Sequence, residues 1–256
     1  MVTVRRFCAI TLLLACAGHA LQAHAAAPIT GYVTVMNNYV SRGLAQSVGN
    51  PSLQLELDYN NTGAGFYTGI DATTINWVDK AYPGDRVHVE LDGYAGYRWI
   101  SGDWTFKAGL LRLQFPGHYQ TQSPPVARPN TTEAYGYVGW RGLSAKLNYA
   151  VTDAFATPDS RGSWYLDLAA VLPLGQHWSV GAHLGRKQER GTDPATRLSN
   201  SRSSYTACKL LAQRVFSAGI SLTLALDWTN ADPALYTLDG YDVGGRHFSI
   251  VLEKDF

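Results

Sequence analysis

The chain has 256 residues, a formal net charge of +1 and only 16% charged residues. The near-neutral balance and the lack of a basic stripe exclude the electrostatic footprint of a nucleic-acid-binding protein. The 25 glycines, 15 tyrosines and 7 tryptophans fit a β-protein rimmed by interfacial aromatics, but they fit a secreted β-sandwich equally well.

Residues 1–25 read as an export signal. Arg5 and Arg6 form a basic start, residues 7–17 are apolar, and Ala23-His24-Ala25 is a small-x-small cleavage site. The apolar run is too short to span a bilayer. Leu13-Leu14-Ala15-Cys16 is a weak lipoprotein-type alternative. Cleavage before Ala26 removes Cys8 and Cys16 and leaves Cys208 alone, so no intramolecular disulfide holds the mature chain.

From there the dominant signal is a period of two. Leu53, Leu55, Leu57 and Tyr59 alternate with Gln54, Glu56 and Asp58. Val89 and Leu91 alternate with Glu90 and Asp92, and Leu143, Ala145, Leu147 and Tyr149 with Ser144, Lys146 and Asn148. The run from Ala218 through Leu222 and Leu226 to Trp228 repeats the pattern. In chain order the predicted strands are 30–42, 51–60, 65–77, 86–99, 104–115, 131–140, 143–151, 163–172, 178–186, 203–212, 218–230 and 246–256. The first, third, fifth and tenth have blurred alternation. Most run roughly nine to fourteen residues, longer than the five or six of a sandwich strand and long enough for a tilted membrane strand.

The joins alternate in length. Those at 61–64, 100–103, 141–142, 173–177 and 213–217 are short, and those at 43–50, 78–85, 116–130, 152–162, 187–202 and 231–245 are longer and hold the Pro and Gly breakers, among them Ser123-Pro124-Pro125. Such sorting by parity is what periplasmic turns and extracellular loops produce. Phe248, Ile250, Leu252 and Phe256 share one face of the last strand, interrupted by Lys254. A terminal Phe with an aromatic eight residues upstream resembles the signal read by the outer-membrane barrel assembly machinery. The expected fold is an all-β, closed antiparallel up-and-down barrel of about twelve transmembrane strands over 26–256, in the outer membrane of a Gram-negative bacterium.

The segment Gly31-Tyr-Val-Thr-Val-Met-Asn-Asn-Tyr-Val-Ser-Arg-Gly-Leu-Ala-Gln46 resembles the opening of the TorF-like family of proteobacterial outer-membrane porins. Gly65-Phe-Tyr-Thr-Gly69, Glu90-Leu-Asp-Gly-Tyr-Ala-Gly-Tyr97, Phe115-Pro-Gly117 and Asp227-Trp-Thr-Asn230 are similar too, in order and spacing. Asn38 and Phe115 depart from the family's acidic and Tyr choices. The resemblance implies a barrel that conducts small hydrophilic solutes or ions by diffusion. It implies no catalytic residues and no cofactor.

If the leucine faces meet lipid, Glu56, Asp58, Asp71, Glu90 and Asp92 line the lumen, with Lys107 and Lys146 pointing inward from a more basic wall opposite. Two readings stay open: a transverse field across a water-filled channel, or internal ion pairs filling a narrow lumen. Arg42 reads as a rim charge, or as a contact for lipopolysaccharide phosphate or a loop carboxylate. Tyr32, Tyr39, Tyr59, Tyr97, Trp77, Trp99, Trp104, Trp140, Trp164, Trp178 and Trp228 fall near predicted strand ends, as aromatic girdles do.

The alternatives are a non-conducting barrel that presents its loops as a receptor, and a lipid-modifying enzyme. The loops at 116–130 and 187–202 are long enough to fold inward as a plug. The pairs His247/Ser249 and Ser179/His183 share strand faces by geometry alone, and neither a Gly-x-Ser-x-Gly elbow nor a metal motif is present, so no enzyme is expected. The expected partners are outer-membrane lipids and lipopolysaccharide, the assembly machinery, small solutes or ions, and a possible second copy of the chain. Nucleic acid is not among them.

Overall fold

The computed structural model describes residues 29–61, 63–120 and 127–256. The expected export signal at 1–25 and the Ser123-Pro124-Pro125 breaker lie outside the described residues. Twelve antiparallel strands form one closed ring: β1 Ile29–Met36, β2 Ser52–Asn60, β3 Phe66–Thr74, β4 Val89–Ser101, β5 Trp104–Gln114, β6 Thr131–Trp140, β7 Leu143–Ala150, β8 Trp164–Leu174, β9 Trp178–Gln188, β10 Tyr205–Val215, β11 Ile220–Thr229 and β12 Arg246–Asp255. Each strand pairs with its neighbours in sequence, and β1 pairs with β12 from Tyr32↔Asp255 to Met36↔Val251. The ring is sealed past the last ladder pair by reciprocal backbone bonds between Gly31 and Phe256, of 3.1 and 2.9 Å.

The alternation in sequence becomes the two faces of the wall. Leu55, Ile70, Leu147, Leu168, Leu210 and Ile250 are exposed on the outside, while Thr34, Glu56, Asp71, Lys107 and Asp227 are buried inside. An edgeless ring that is apolar outside and polar within is the surface that hydrocarbon requires, so the strands cross a membrane. At the short-turn end Trp99, Phe106, Trp104 and Trp140 form an outward ladder, with successive ring centroids 5.4, 6.1 and 6.0 Å apart. Three of the predicted girdle residues stand elsewhere. Tyr32 is buried in the lumen, and Tyr39 and Trp77 line an internal cavity.

Two predicted strands end early. The first stops at Met36 rather than residue 42, and the third at Thr74 rather than residue 77. In both places the chain turns inward and carries apolar side chains that had looked like a continuing alternation. Ile75, just before the short helix α1 (Trp77–Ala81), and Val78 within it join a cluster with Val87 and Phe115. Where strands part at the long-loop rim, side chains take over the ladder. Asn37 Oδ1 accepts from Ile250 N–H, Thr74 Oγ1 from Leu53 N–H, Asn130 Oδ1 from Phe115 N–H, Thr152 Oγ1 from Thr132 N–H and Asn230 Oδ1 from Thr206 N–H. Each satisfies a backbone donor that the departing neighbour leaves behind.

Inward tyrosines are packed over inward glycines of the neighbouring strand. Tyr94 covers Gly69, Tyr67 covers Gly96, Tyr135 covers Gly109 and Tyr165 covers Gly185. The first three pairs are direct cross-strand partners in the register. A Cβ at these glycines would run into the ring, so the missing side chain is the space that the tyrosine fills. Gly69→Val is expected to lower stability by about 1–3 kcal/mol through this clash, read by urea unfolding of the detergent-folded protein. Gly93→Val, where an added Cβ meets nothing within 4 Å, is expected to change little.

Candidate functional site: the lumen and its inward hairpin

All seven predicted lumen residues point inward. Glu56, Asp71, Glu90, Asp92 and Lys107 are buried, and Asp58 and Lys146 are partly so. The register places three of the acids in one row, Glu56 beside Asp71 and Asp71 beside Asp92. Like charges directly opposite on neighbouring strands repel. Hydroxyls and an amide relieve part of this. Tyr94 donates to Glu56 at 2.8 Å, Tyr32 also donates to Glu56, Thr73 donates to Asp71 at 2.8 Å, and Gln54 donates to Asp71.

A second row runs Arg98, Lys107, Tyr137, Lys146 and Asp167 across β4 to β8. Lys107 Nζ lies 5.7 Å from the Tyr67 ring centroid, and Lys146 Nζ lies 5.0 Å from that of Tyr135. The basic wall does not face the acidic one, as the sequence reading had it. Counted around the ring, the centre of the basic row is three strands from β3, a quarter of the circumference. The wall across from β3 carries paired charges instead. Lys187 lies 2.6 Å from Glu189, Lys209 3.2 Å from Asp227, and His183 2.9 Å from Asp167.

The main departure is Arg42. It is neither a rim charge nor aimed at a loop carboxylate. After β1 the chain folds into the lumen as a hairpin, Val40–Ser41 paired with Leu44–Ala45. Arg42 and Gly43 form its two-residue turn with φ of 52° and 82°, the type I′ pattern for which an Arg-Gly pair is serviceable because glycine takes the second left-handed position. The tip reaches the far wall. Arg42 Nη1 and Nη2 donate to the two oxygens of Glu133 at 2.8 and 2.6 Å, and Asn148 donates to the same carboxylate at 2.7 Å. The guanidinium lies over Tyr165 and Phe155, 5.3 and 5.6 Å from the ring centroids. Burial works against its charge, but the adjoining Glu133 carboxylate outweighs that and holds the guanidinium pKa above its ordinary value. Tyr205 donates to the Arg42 carbonyl at 3.0 Å, and an added Cβ at Gly43 would touch Ala207 and Thr229 at 2.7 Å.

The hairpin is also held from above. Val40, Ala45 and Val48 pack with Val243 against Trp77 and Tyr236, and Gln46 O accepts from Asn76 and Trp77 N–H, each at 3.0 Å. Lys80 lies 2.6 Å from Asp239, tying α1 to the 237–242 turn, and its hydrogen bond keeps the Asp239 carboxyl below its usual value. Between the hairpin, the loops and the wall lies a cavity of about 290 Å³.

Sequence reasoning missed Glu133, although it is the lone charge of its strand. Both faces of β6 mix small and aromatic residues, Thr131, Tyr135, Tyr137 and Gly139 on one and Thr132, Ala134, Gly136 and Trp140 on the other, so no lipid face could be assigned. The Ser/His pairs have other partners. The His247 ring contacts the Val243 carbonyl at 3.0 Å and the Tyr241 hydroxyl at 3.2 Å, while Ser249 donates to Asn38 O.

The sequence profile of a bacterial family of unknown function, Gcw_chp, matches residues 20–256. No curated protein matches the chain in sequence. Among solved structures, the KdgM porin superposes with a TM-score of 0.52 at 9% identity, covering 89% of this chain and 99% of that one. An outer membrane channel from Pseudomonas putida F1 gives 0.52 at 14% identity, covering 93% and 100%. The NanC porin gives 0.51 at 11% identity, covering 88% and 97%. The fold is thus that of outer-membrane channel barrels.

Arg42→Ala removes both bonds to Glu133 and the ring contacts. Hydrogen exchange in residues 37–51 is expected to rise at least tenfold, with exchange in the barrel strands unchanged.

Proposed function

The chain belongs to the bacterial family of unknown function Gcw_chp, and for it we propose the role of an outer-membrane channel for passive diffusion of small hydrophilic solutes or ions, narrowed by its own first loop. The observation that carries this reading is the sealed wall with an apolar outside and an ionisable inside. A barrel that only filled its membrane slot would have no need of an acidic row whose members repel one another. The likeness of the opening segment to the TorF-like porins supports the same reading. The Arg42 hairpin is the segment that marks out a TorF-like opening in sequence, and here it stands across the lumen.

In this reading Glu56, Asp58, Asp71, Glu90 and Asp92 lower the energy of a cation along one wall, and Lys107 and Lys146 set its width from the adjoining quarter. Phe248, Ile250, Leu252 and Phe256, all exposed on the outer face of the closing strand, are the proposed contact for the assembly machinery. Catalysis has no part in it.

The test is single-channel recording of refolded residues 26–256 in planar bilayers. Small, ohmic, cation-preferring currents are expected, with a larger unit conductance for Arg42→Ala. A wild-type barrel that folds but passes no current overturns the proposal in favour of a non-conducting barrel. Where current is seen, Glu90→Gln combined with Asp92→Asn is expected to move the reversal potential in a salt gradient toward zero.

A further inference from the structure

Two arginines stand on the lipid-facing side of the wall. Arg112 on β5 lies between Leu111 and Leu113, both buried inside, and Arg186 on β9 lies between Gly185, which Tyr165 covers, and the inward Lys187. Alternation therefore turns both arginines outward. Each stands eight residues beyond an exposed tryptophan of the short-turn end, Trp104 or Trp178, and two residues before a glutamine, Gln114 or Gln188. Eight residues of strand run about 27 Å, or about 20 Å of height at the usual tilt. The apolar band of such a barrel is about 25 Å tall, so both arginines reach its long-loop edge, where the headgroups of the outer leaflet begin.

Both are held in the same way. Arg112 Nη1 donates to Thr132 Oγ1 at 2.8 Å, and Arg186 Nη1 donates to Thr206 Oγ1 at 3.3 Å. Thr132 and Thr206 are their direct partners on the next strand. Arg186 Nη2 also donates to Gln188 Oε1 at 3.2 Å, and the Gln188 amide is itself fixed by bonds to Glu189 O and Ser204 Oγ, each of 3.1 Å. These acceptors are neutral. They orient a guanidinium flat against the wall without balancing its charge. Arg42 and Arg141 have carboxylate partners in Glu133 and Asp103, but among the described residues no carboxylate pairs with Arg112 or Arg186. Most of their N–H donors stay open, and each threonine keeps its own O–H to donate.

A cation fixed beside an apolar surface calls for an anion. The surface says which kind. Leu110 and Leu184, two residues further into the membrane on the same face, are exposed, and so is Leu168, the cross-strand partner of Leu184. The anion that fits therefore carries acyl chains, and a guanidinium fork with a neighbouring hydroxyl matches the oxygens of a phosphate.

We propose that Arg112 with Thr132, and Arg186 with Thr206 and Gln188, are two separate sites, each for a phosphate of outer-leaflet lipopolysaccharide whose acyl chains lie along the leucines below. The lipid contact considered for Arg42 thus falls to arginines on the outer face. The sites do not depend on whether the lumen conducts.

Native mass spectrometry of refolded residues 26–256, released from detergent micelles, tests this. The probes are bis-phosphorylated lipid A, its dephosphorylated form, phosphatidylethanolamine and inorganic phosphate. Two lipid A molecules are expected per barrel, bound at least tenfold more tightly than dephosphorylated lipid A or phosphatidylethanolamine, with no saturable binding of inorganic phosphate. Arg112→Gln and Arg186→Gln are each expected to remove one bound lipid A, and the double variant to lower the overall affinity at least tenfold. Arg186→Lys, which keeps the charge and loses the fork, is expected to weaken its site several-fold. Equal affinity for the phosphorylated and dephosphorylated lipids, equal affinity for phosphatidylethanolamine, inorganic phosphate binding as tightly as lipid A, or a double variant that binds like the wild type overturns the proposal. Should the arginine variants fail to fold, Thr132→Val with Thr206→Val is expected to weaken lipid A several-fold, and unchanged affinity there overturns it as well.

Discussion

The structure depends on one constraint: backbone N–H and C=O groups that face hydrocarbon must find partners within the protein, at a cost of several kcal/mol for each one left open. A single chain of strands meets this only by returning to its first member. The seal between β1 and β12, with the exchange between Gly31 and Phe256 beyond the ladder, is therefore the condition for every other feature. The same constraint explains the rim. Where a strand leaves the sheet, Asn37, Thr74, Asn130, Thr152 and Asn230 lend side-chain oxygens to the neighbour's orphaned donors. These are the short polar residues that elsewhere cap helices and turns, used here to finish a sheet.

Closure also decides what the interior must hold. Alternation sends every second residue inward, so polar and charged groups needed to match a greasy exterior accumulate in a confined space. Tyrosines resolve part of the crowding by lying in the grooves that glycines leave, with hydroxyls bound to acids, as Tyr94 is to Glu56, or to each other, as Tyr67 is to Tyr135 at 2.6 Å. The hairpin resolves another part. It carries Val40, Ala45 and Val48 into a small apolar cluster under the loops and sends one cation across to Glu133. Bidentate pairing suits a planar guanidinium, and a lysine at position 42 would hold the far wall by a single point contact.

The barrel was legible in the sequence because its determinants are periodic. Leu53 to Tyr59 state their faces outright, and the parity of the joins states the topology. The inward direction of Glu56, Asp58, Glu90 and Asp92 followed from the leucines beside them. What did not follow was anything set by three-dimensional return. Val40 and Leu44 continue the alternation of β1 in sequence, so the hairpin read as strand and then loop, although Arg42-Gly43 is a turn signal. Ile75 and Trp77 disguised α1 in the same way. The partner of Arg42 lies 91 positions away on a strand with no readable face, and the angle between acidic and basic walls is a property of the closed ring alone.

The root of the hairpin has a consequence for the order of events in assembly. Asn37 exchanges two bonds with β12, accepting from Ile250 N–H and donating to the Phe248 carbonyl, and Ser249 reaches the carbonyl of Asn38. The base of the obstruction is thus fastened to the strand that completes the circle. Until that strand docks, the root of the hairpin lacks these bonds, although its tip can already reach Glu133. Sealing the wall and fixing the root of the partition therefore fall together, so a barrel still open at the seam would also hold its obstruction less firmly.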